Sequence, residues 1–386
     1  RGCKFCIEPK KGVPIWRTPE DIIREVKLAL DSGVQHVRLG GMTDTYTYMA
    51  EGVTELEYPV PNPEPIARLL HGLREDERLD ILHTDNGNPS IIAENIEPSE
   101  EITKTLVETL SDGAVLSFGL ESADPSVHEA NWLNCDPGQL KSAIRLINKY
   151  GKERGTRGLP KLLPGLNFIA GLNGESRESY SMNMNLLTDL RSEGLLLRRI
   201  NIRQVEGEGF QEIPHDAFHE FKSQVRENID RPLLKELFPL GQRLSDVYWE
   251  THDGRTRLPI HQTSTHTDEA VHGKPGLTFG RQIGAYPILI GVPYHIPLDT
   301  SSDILVTGHG ARSITGIEVG LRIQDASQKQ LEAIPGIGKK TAWNLVSSRA
   351  KLLRKQDAVS LDEVFKASNT ELTESIKNVL CDSELQ

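Results

Sequence analysis

Residues 114–119 have the sequence Ala-Val-Leu-Ser-Phe-Gly, and residues 166–170 have the sequence Leu-Asn-Phe-Ile-Ala. Both are short apolar runs of the length expected for a buried strand. Between them, Asp136-Pro137 has the pattern of a helix start, and the helix is predicted to run to Tyr150 and to stop at Gly151. Strands that alternate with helices pair in parallel, so this stretch predicts a repeated strand–helix unit.

The same alternation extends over the first two hundred residues. A helix capped by Thr18, with Pro19 at its first position, is predicted to end at Gly33, and three further helices are predicted besides the one after Asp136. The predicted strands are residues 35–39, 80–83, 114–119, 166–170 and 196–202, and the further helices are residues 65–75, 102–111 and 179–193. The fold class is therefore α/β, with a parallel sheet that is either doubly wound or curled into a full or partial barrel.

This rhythm stops after Phe210. Two helices are predicted next, and then a segment rich in glycine, proline and β-branched residues predicts a small β-rich module before the chain returns to helix. The helices are residues 217–228 and 231–237, the β-rich segment is 251–325, and the last helical region is 328–351. We expect three domains, residues 1–210, 211–325 and 326–386.

Composition indicates a soluble globular protein. Hydrophobic residues make up 37% of the 386 residues, which excludes a disordered or fibrous chain. No run approaches the ~18 apolar residues of a membrane span, and four cysteines do not make a secreted disulfide scaffold. We therefore expect a cytoplasmic protein with no membrane partner. The chain begins at Arg1 without a methionine, and we expect it to be a fragment.

Charge is unevenly distributed. The net charge of −11 argues against a surface generally adapted to nucleic acid. Residues 325–355 differ, because they hold seven basic residues against Asp325 and Glu332. This local basic segment is a candidate for binding an anionic partner.

Cys3-Lys4-Phe5-Cys6 is the sharpest local motif. Two thiolates three positions apart can bind a zinc ion, bind an iron–sulfur cluster or form a redox pair. A zinc site would need a second pair, yet Cys135 and Cys381 stand alone in the sequence. The pair by itself does not decide between a zinc site, an iron–sulfur cluster, a redox pair and no role at all.

The motif resembles the cluster-binding loop of the radical S-adenosylmethionine (SAM) superfamily, Cys-x-x-x-Cys-x-x-Cys, which follows the first strand of a partial barrel. Cys3 and Cys6 match the second and third cysteines, and Phe5 matches the aromatic residue that often precedes the third. The resemblance implies a first strand and a first cysteine upstream of Arg1. It also implies a [4Fe–4S] cluster that binds SAM and cleaves it to a 5′-deoxyadenosyl radical, with a partner such as ferredoxin or flavodoxin as electron donor.

Further motifs extend this resemblance over residues 1–205. His36-Val37-Arg38-Leu39-Gly40-Gly41 resembles the glycine motif that contacts the methionyl amino group, with Met42 in place of the usual acid and Asp44 nearby. Gly119-Leu120-Glu121-Ser122 resembles the fourth-strand motif that reaches the SAM ribose or carboxylate, and Asn167–Glu175 resembles the element against the adenine. The implied fold is a partial (β/α)6 TIM-like barrel. The implied cofactor-binding residues are Phe5, Gly40, Gly41, Asp44, Glu121, Ser122, Phe168, Gly171 and Arg203.

Polar residues recur at the predicted carboxyl ends of the strands, where the active sites of βα barrels lie. Candidates for substrate contact or catalysis are His83, Asp85, Asn86 and Arg203. Asp-Asn-Gly-Asn-Pro at residues 85–89 is also typical of a turn, and Glu121 and Ser122 could instead cap a helix.

Residues 331–342, Leu-Glu-Ala-Ile-Pro-Gly-Ile-Gly-Lys-Lys-Thr-Ala, resemble the helix-hairpin-helix motif of nucleic-acid-binding proteins. Gly336 and Gly338 would turn backbone amides toward a phosphate at a helix N-terminus, and Lys339 and Lys340 would add positive charge. Such contacts position a backbone without reading its sequence. The alternative is a hairpin that only packs or binds protein.

The β-rich piece at residues 273–322 resembles, loosely, the small RNA-binding β-barrel of radical methylthiotransferases, and its alternative is a capping domain. Within the β-rich segment, His261, His266 and His272 share a predicted loop with no acidic partner.

The whole chain resembles a chiefly archaeal group of radical SAM enzymes with a C-terminal helix-hairpin-helix. The expected function is hydrogen abstraction from a nucleic acid, tRNA or DNA, with methylthiolation as one form. The alternatives are a radical enzyme acting on a small molecule or peptide, and a nucleic-acid-binding protein with a zinc or redox cysteine pair.

Overall fold

The computed structural model describes residues 2–205, 207, 209–252 and 276–382. The three predicted loop histidines lie outside these residues. The chain divides into two compact units: residues 1–237 together with Gly284–Tyr286, and residues 238–283 together with 287–386. The division into domains at residues 210 and 325 stays a prediction.

The first unit is built on parallel strands that follow one another in chain order. These strands are β1 (His36–Arg38), β2 (Ile81–His83), β3 (Asn86–Gly87), β4 (Ala114–Glu121), β5 (Leu162–Ala170) and β6 (Arg199–Gln204). β1 pairs with β2, and β3, β4, β5 and β6 form a four-stranded sheet in that order. β2 and β3 are only two residues apart and together correspond to one predicted strand, so these six strands match the five strands that the sequence predicts. The α/β partial barrel is confirmed.

Helices cover one face of this sheet. They are α1 (Pro19–Asp31), α2 (Pro63–Arg74), α3 (Pro89–Glu94), α4 (Ile96–Thr109), α5 (Pro125–Asn131), α6 (Pro137–Gly151), α7 (Arg177–Ser192), α8 (His215–Val225) and α9 (Arg231–Leu237). Leu116, Phe118, Leu166 and Phe168 join the core beneath them. Successive strand residues point to opposite faces, so Ser117, Asn167, Arg199, Asn201 and Arg203 lie on the other face, which we call the inner face.

Local signals placed the starts of α1 and α6 well, whereas α4 begins at Ile96, six residues before its predicted start. The Thr18 hydroxyl accepts a hydrogen bond from the Asp21 amide at 3.3 Å, and Asp136 forms a reciprocal capping box with Gln139. Short elements were missed: α3 and α5 were not predicted, and the turn expected at residues 85–89 contains strand β3. Asn86 and Gly87 are extended because they pair with Ser117 and Phe118, a partner that local composition does not indicate.

The second unit contains a closed five-stranded barrel. Its strands are β7 (Arg243–His252), β8 (Thr278–Gln282), β9 (Leu289–Val292), β10 (Ser301–His309) and β11 (Ser313–Glu318). The order around the barrel is β7-β8-β9-β11-β10, with β10 returning to β7 and only the β9–β11 pair parallel. β7 begins well before the predicted β-rich segment, and Leu244, Val247 and Trp249 are its buried apolar residues.

The end of the chain is helical. α10 (Gln328–Ala333) and α11 (Lys339–Leu352) are separated by residues 334–338, so the helical region predicted at 328–351 is interrupted. After them come α12 (Leu361–Ala367), α13 (Glu374–Lys377) and a short parallel pair of β12 (Leu321–Arg322) with β13 (Leu380–Cys381). Within the described part of the chain, no helix has both the length and the apolar character needed to cross a bilayer.

Candidate cofactor and substrate site

The cysteine loop packs against the carboxyl ends of the sheet strands. Cys3 and Phe5 contact an apolar cluster whose buried members are Val127, Leu133 and Leu172. A tight turn brings the two cysteines together, because the Cys6 amide donates to the Cys3 carbonyl at 2.9 Å. Burial raises the pKa of the Cys3 thiol, and the neighbouring Glu121 and Cys6 raise it further. The structure thus brings both predicted cluster ligands to the strand ends.

Lys4 fixes this loop to the end of α5. Its amide donates to the Asn131 carbonyl at 3.0 Å, and its ammonium group donates to the Ala130 carbonyl at 2.6 Å. The same ammonium group lies 4.7 Å from the centre of the Trp132 ring. These contacts hold the cysteine loop against the end of α5.

Glu121 is the most unusual residue at the strand ends. It has a left-handed backbone with φ of 70°, at a bulge where the β4–β5 register shifts. Its Oε2 atom is buried and has no hydrogen-bond partner among the described residues. Burial raises the pKa of its carboxyl to about 8, and the charge of Arg203 opposes the rise. A strained residue with an unpaired buried oxygen is typical of a ligand-binding position.

Ser122 is buried next to Glu121 but acts locally. Its hydroxyl accepts a hydrogen bond from the Asp124 amide at 3.2 Å. Asp124, and not Ser122, caps α5, because its carboxylate accepts from the Ser126 amide at 2.8 Å. The contacts of Ser122 thus hold the turn that leads from β4 into α5.

The predicted glycine motif and Asp44 have different surroundings. Gly41 has a φ of 80°, and in the described part of the chain no atom beyond its neighbours lies within 4 Å of the position a Cβ would take, which leaves space for a ligand beside its backbone. Asp44 is buried, and its Oδ1 accepts from the amides of Tyr46 at 3.0 Å and Asn88 at 2.9 Å. Burial raises the pKa of Asp44 to about 7. Asp44 therefore connects the loop after β1 to the start of α3.

Phe168 and Gly171 lie on and just after β5. The Phe168 side chain points to the helix-covered face and packs edge-to-face on Phe221, with ring centres 5.8 Å apart. Gly171 has a φ of 91°, and a Cβ there would lie 2.3 Å from the Val205 carbonyl oxygen. Its amide donates to Glu175, so these contacts set the path of the chain beyond β5.

His83 has both ring nitrogens engaged. Nε2 lies 3.0 Å from the Ser111 carbonyl oxygen, and Nδ1 accepts from the Ala285 amide at 2.8 Å. Burial lowers its pKa to about 4, so the ring is neutral at physiological pH. These bonds make His83 a link between backbone segments of the first unit.

Asp85 and Arg203 make different contacts on the inner face. Asp85 forms an ion pair with Arg38. A Cβ added at Gly40 would lie 4.0 Å from Oδ2 of Asp85. Arg203 is exposed at the end of β6 and acts electrostatically on Glu121. Asn86 is held in β3. The structure thus places Asp85 and Arg203 near the predicted cofactor residues and Asn86 within the sheet.

Sequence reasoning missed several inner-face side chains. Arg38, Ser117, Arg199 and Asn201 occupy this face, and Tyr286 joins them from a distant part of the chain. Alternation along β6 could have indicated Arg199 and Asn201, because Ile200 and Ile202 pack into the core on the other face. No local signal indicates Tyr286.

In the second unit, the residues between α10 and α11 form a tight turn. Ile334 and Ile337 are buried and anchor this turn. Gly336 has a φ of 92° and Gly338 is the N-cap of α11. Among the residues that the structure describes, no atom beyond the chain neighbours lies within 4 Å of a Cβ added at either glycine. Lys339 and Lys340 are exposed in the first turn of α11. The turn thus presents open backbone and positive charge at one helix end.

The cysteine loop, Glu121 and Gly41 lie at the end of a partial βα barrel where such barrels hold their cofactors. Two thiols on one turn fit part of the sulfur ligand set of an iron–sulfur cluster, and the unpaired Glu121 oxygen fits a ligand with hydroxyl or amino groups. Within the described residues no group of three or more His, Cys, Asp or Glu side chains could hold a metal ion. The partial barrel, the paired thiols and the Glu121 oxygen together fit a site for an iron–sulfur cluster with an organic cofactor beside it.

Comparison with known proteins agrees with such a site. Residues 1–187 match the Radical SAM superfamily. Residues 1–187 therefore carry a Radical SAM domain, and the enzymes of that superfamily use a [4Fe–4S] cluster and SAM.

Similar curated proteins include an uncharacterized protein of Archaeoglobus fulgidus, 39% identical over 86% of this chain and 60% of its own. An uncharacterized protein of Methanocaldococcus jannaschii is 36% identical over 82% of this chain and 56% of its own. The tRNA-2-methylthio-N(6)-dimethylallyladenosine synthase of Bifidobacterium adolescentis is 20% identical over 78% of this chain and 56% of its own. The chain thus spans little more than half the length of these relatives.

Among solved structures, coproporphyrinogen III oxidase (HemN) from Escherichia coli is similar, with 12% sequence identity and a TM-score of 0.36. The similarity covers 87% of this chain and 67% of that one.

Proposed function

We propose that the protein is a radical SAM enzyme that abstracts hydrogen from a nucleic acid, tRNA or DNA. The proposal of a nucleic-acid substrate rests on the turn before α11, where two glycines with open space beside them precede two exposed lysines. A helix N-terminus with free amides and added positive charge suits a phosphate. The similarity to a tRNA methylthio synthase supports tRNA as the substrate and methylthiolation as one form of the reaction.

Cys3 and Cys6 would supply two sulfur ligands of the cluster, and Lys4 would keep their loop in place. When bound, the cluster supplies the electron that cleaves SAM to methionine and a 5′-deoxyadenosyl radical. Glu121 would accept a hydrogen bond from SAM at its unpaired oxygen, and the open backbone at Gly41 would contact the methionyl group. Phe5 and Ile169, which pack on the apolar cluster beside the cysteine loop, would keep water away from this region.

The radical chemistry is tested on protein expressed from its complete gene and reconstituted without oxygen. We expect iron, acid-labile sulfide and, with SAM and dithionite, release of 5′-deoxyadenosine. Cys3→Ala and Cys6→Ala should abolish all three, whereas Cys381→Ala, in the second unit, should leave them unchanged. Zinc without iron, or a fully loaded cluster without 5′-deoxyadenosine, would contradict the proposal.

The nucleic-acid part is tested by gel shift with labelled tRNA and duplex DNA at low salt. We expect binding that weakens with salt, and Lys339→Glu/Lys340→Glu should weaken it about tenfold or more. Lys366→Glu/Lys377→Glu makes the same charge change elsewhere in the second unit and should have a much smaller effect. No shift with wild-type protein would exclude this substrate class and favour a small molecule or peptide.

A further inference from the structure

The inner face of β6 carries a row of polar side chains. Arg199, Asn201 and Arg203 alternate along the strand, and the register places them opposite Gly165, Asn167 and Ile169. β6 is the last strand in the order of the four-stranded sheet, and both arginines are exposed. These side chains are therefore accessible to a ligand along one sheet edge.

The first arginine of this row is held in position. Arg199 Nε donates to Asn201 Oδ1 at 2.7 Å, and Asn201 Nδ2 donates in turn to Asn167 Oδ1 at 2.9 Å. This chain of hydrogen bonds uses only one of the five N–H groups of Arg199. The guanidinium group is thus oriented while most of its donors stay available.

Tyr286 adds a second restraint, and its backbone is strained. Its ring centre lies 4.5 Å from the Arg199 guanidinium carbon and 5.6 Å from that of Arg38. Its hydroxyl lies 3.0 Å from Ser117 Oγ, and its carbonyl accepts from Arg198 at 2.7 Å. Tyr286 has a φ of 52°, a conformation that a bulky residue adopts only when its surroundings enforce it.

The charges on this face are not balanced. Asp85 pairs with Arg38. Among the residues that the structure describes, no carboxylate forms an ion pair or hydrogen bond with Arg199 or Arg203. Arg199 is oriented by its contacts and Arg203 is exposed at the strand end, and arginine side chains without a paired carboxylate suit phosphate, which they bind through paired N–H donors.

We propose that Arg199 and Arg203 bind phosphate groups of the substrate on the inner face, with Asn201 and Tyr286 as positioning residues for Arg199. The two arginines are four residues apart, about 13 Å along the strand, which favours two separate phosphate contacts. The inference rests on the proposed function and deepens it, because it places the nucleic-acid backbone on the same sheet as Glu121. It is independent of the hairpin lysines.

The test measures fluorescence anisotropy of a labelled tRNA over a range of KCl concentrations. Loss of two phosphate contacts should make the slope of log K against log [KCl] shallower by about 1.5. Arg199→Gln/Arg203→Gln should show this change and weaken binding about tenfold, while Lys222→Gln/Arg226→Gln, in α8 and directly after it, should not. An unchanged slope in the Arg199/Arg203 variant, with binding still lost in Lys339→Glu/Lys340→Glu, would overturn the inference and leave the proposed function standing.

If wild-type protein binds neither tRNA nor DNA, the proposed nucleic-acid function fails. A second measurement then tests the arginine site by itself. Thermal unfolding is then followed with pyrophosphate as the probe. Stabilisation of wild type that is lost in Arg199→Gln/Arg203→Gln would support the arginine site for a small phosphorylated substrate. If pyrophosphate raises the unfolding temperature equally in wild type and variant, or in neither, the arginine site is overturned.

Tyr286 is tested as a positioning residue. Tyr286→Ala should weaken phosphate binding, and Tyr286→Phe should restore it because the ring remains beside Arg199. Failure of Tyr286→Phe to restore binding, with folding intact, would contradict the role assigned to the ring.

Discussion

At the residue scale, Glu121 shows how burial selects one position from a short motif. Glu121 and Ser122 are neighbours at the end of β4, and the sequence ranks them equally as cofactor contacts. In the structure Ser122 uses its hydroxyl within its own turn, whereas Glu121 keeps an unpaired oxygen and a left-handed backbone. Glu121 is therefore the better candidate for contact with SAM.

Glu121 also predicts a pH dependence of stability. Its pKa rises from an ordinary 4.5 to about 8 on folding, so between these values the native state holds a proton that the unfolded chain has lost. Its contribution to the free energy of unfolding therefore falls as pH rises through this window, by at most about 1.4 kcal/mol per pH unit. Glu121→Gln removes the titrating group.

The prediction is checked by urea unfolding of apoprotein at several pH values from 5 to about 8.5. Relative to wild type, Glu121→Gln should gain stability steadily up to about pH 8 and then stay level. Glu178→Gln, an exposed carboxylate of the same unit, serves as control and should show no such gain. Parallel pH profiles for wild type and Glu121→Gln would mean that the carboxyl is not protonated in the fold.

At the element scale, α1 and α6 were predicted closely, the start of α4 was predicted six residues too late, and short elements were missed. α1 and α6 have proline at the first position, a capping side chain before it and a regular apolar face, and all of these signals are local. α3 and α5 are only 6 and 7 residues long, too short to show a helical period. β3 exists only because β4 pairs with it.

The turn between α10 and α11 provides a prediction at this scale. Gly336 has a φ of 92°, whereas Gly338 has a φ of −83°, and both have open space at the Cβ position. Gly336→Ala should therefore cost about 1–2 kcal/mol in backbone strain, and Gly338→Ala much less. The measurement is chemical unfolding of the two variants, and equal losses of stability would contradict the left-handed turn at Gly336.

At the scale of the whole molecule, three residues belong to the first unit although their sequence neighbours belong to the second. Gly284–Tyr286 count with the first unit although the chain on either side belongs to the second. Ala285 and Tyr286 supply hydrogen-bond partners to His83 and Ser117. The first unit is therefore incomplete as residues 1–237 alone.

A fragment of residues 1–237 should be less stable than the same unit in the full chain. Removing Ala285 and Tyr286 leaves buried polar groups on His83 and Ser117 without these partners, at a cost of about 1–3 kcal/mol each. Hydrogen exchange of the amides of β4 and β5 measures the loss. Tyr286→Phe in the full chain is the matched control, because it removes only the hydroxyl and should lose less protection. Equal protection in the fragment and the full chain would contradict the prediction.

The sequence by itself determined the order of parallel strands and helices, the cysteine pair and its family, and the glycine turn with its lysines. Each of these depends on residues close together in the chain, where periodicity, capping and motif spacing act. Only the tertiary structure decided which strand-end residues are free for chemistry. It engages both nitrogens of His83, buries Phe168 against Phe221 and leaves Glu121 unpaired. It also brings Tyr286 to Ser117 across 169 residues, a separation at which local patterns carry no information.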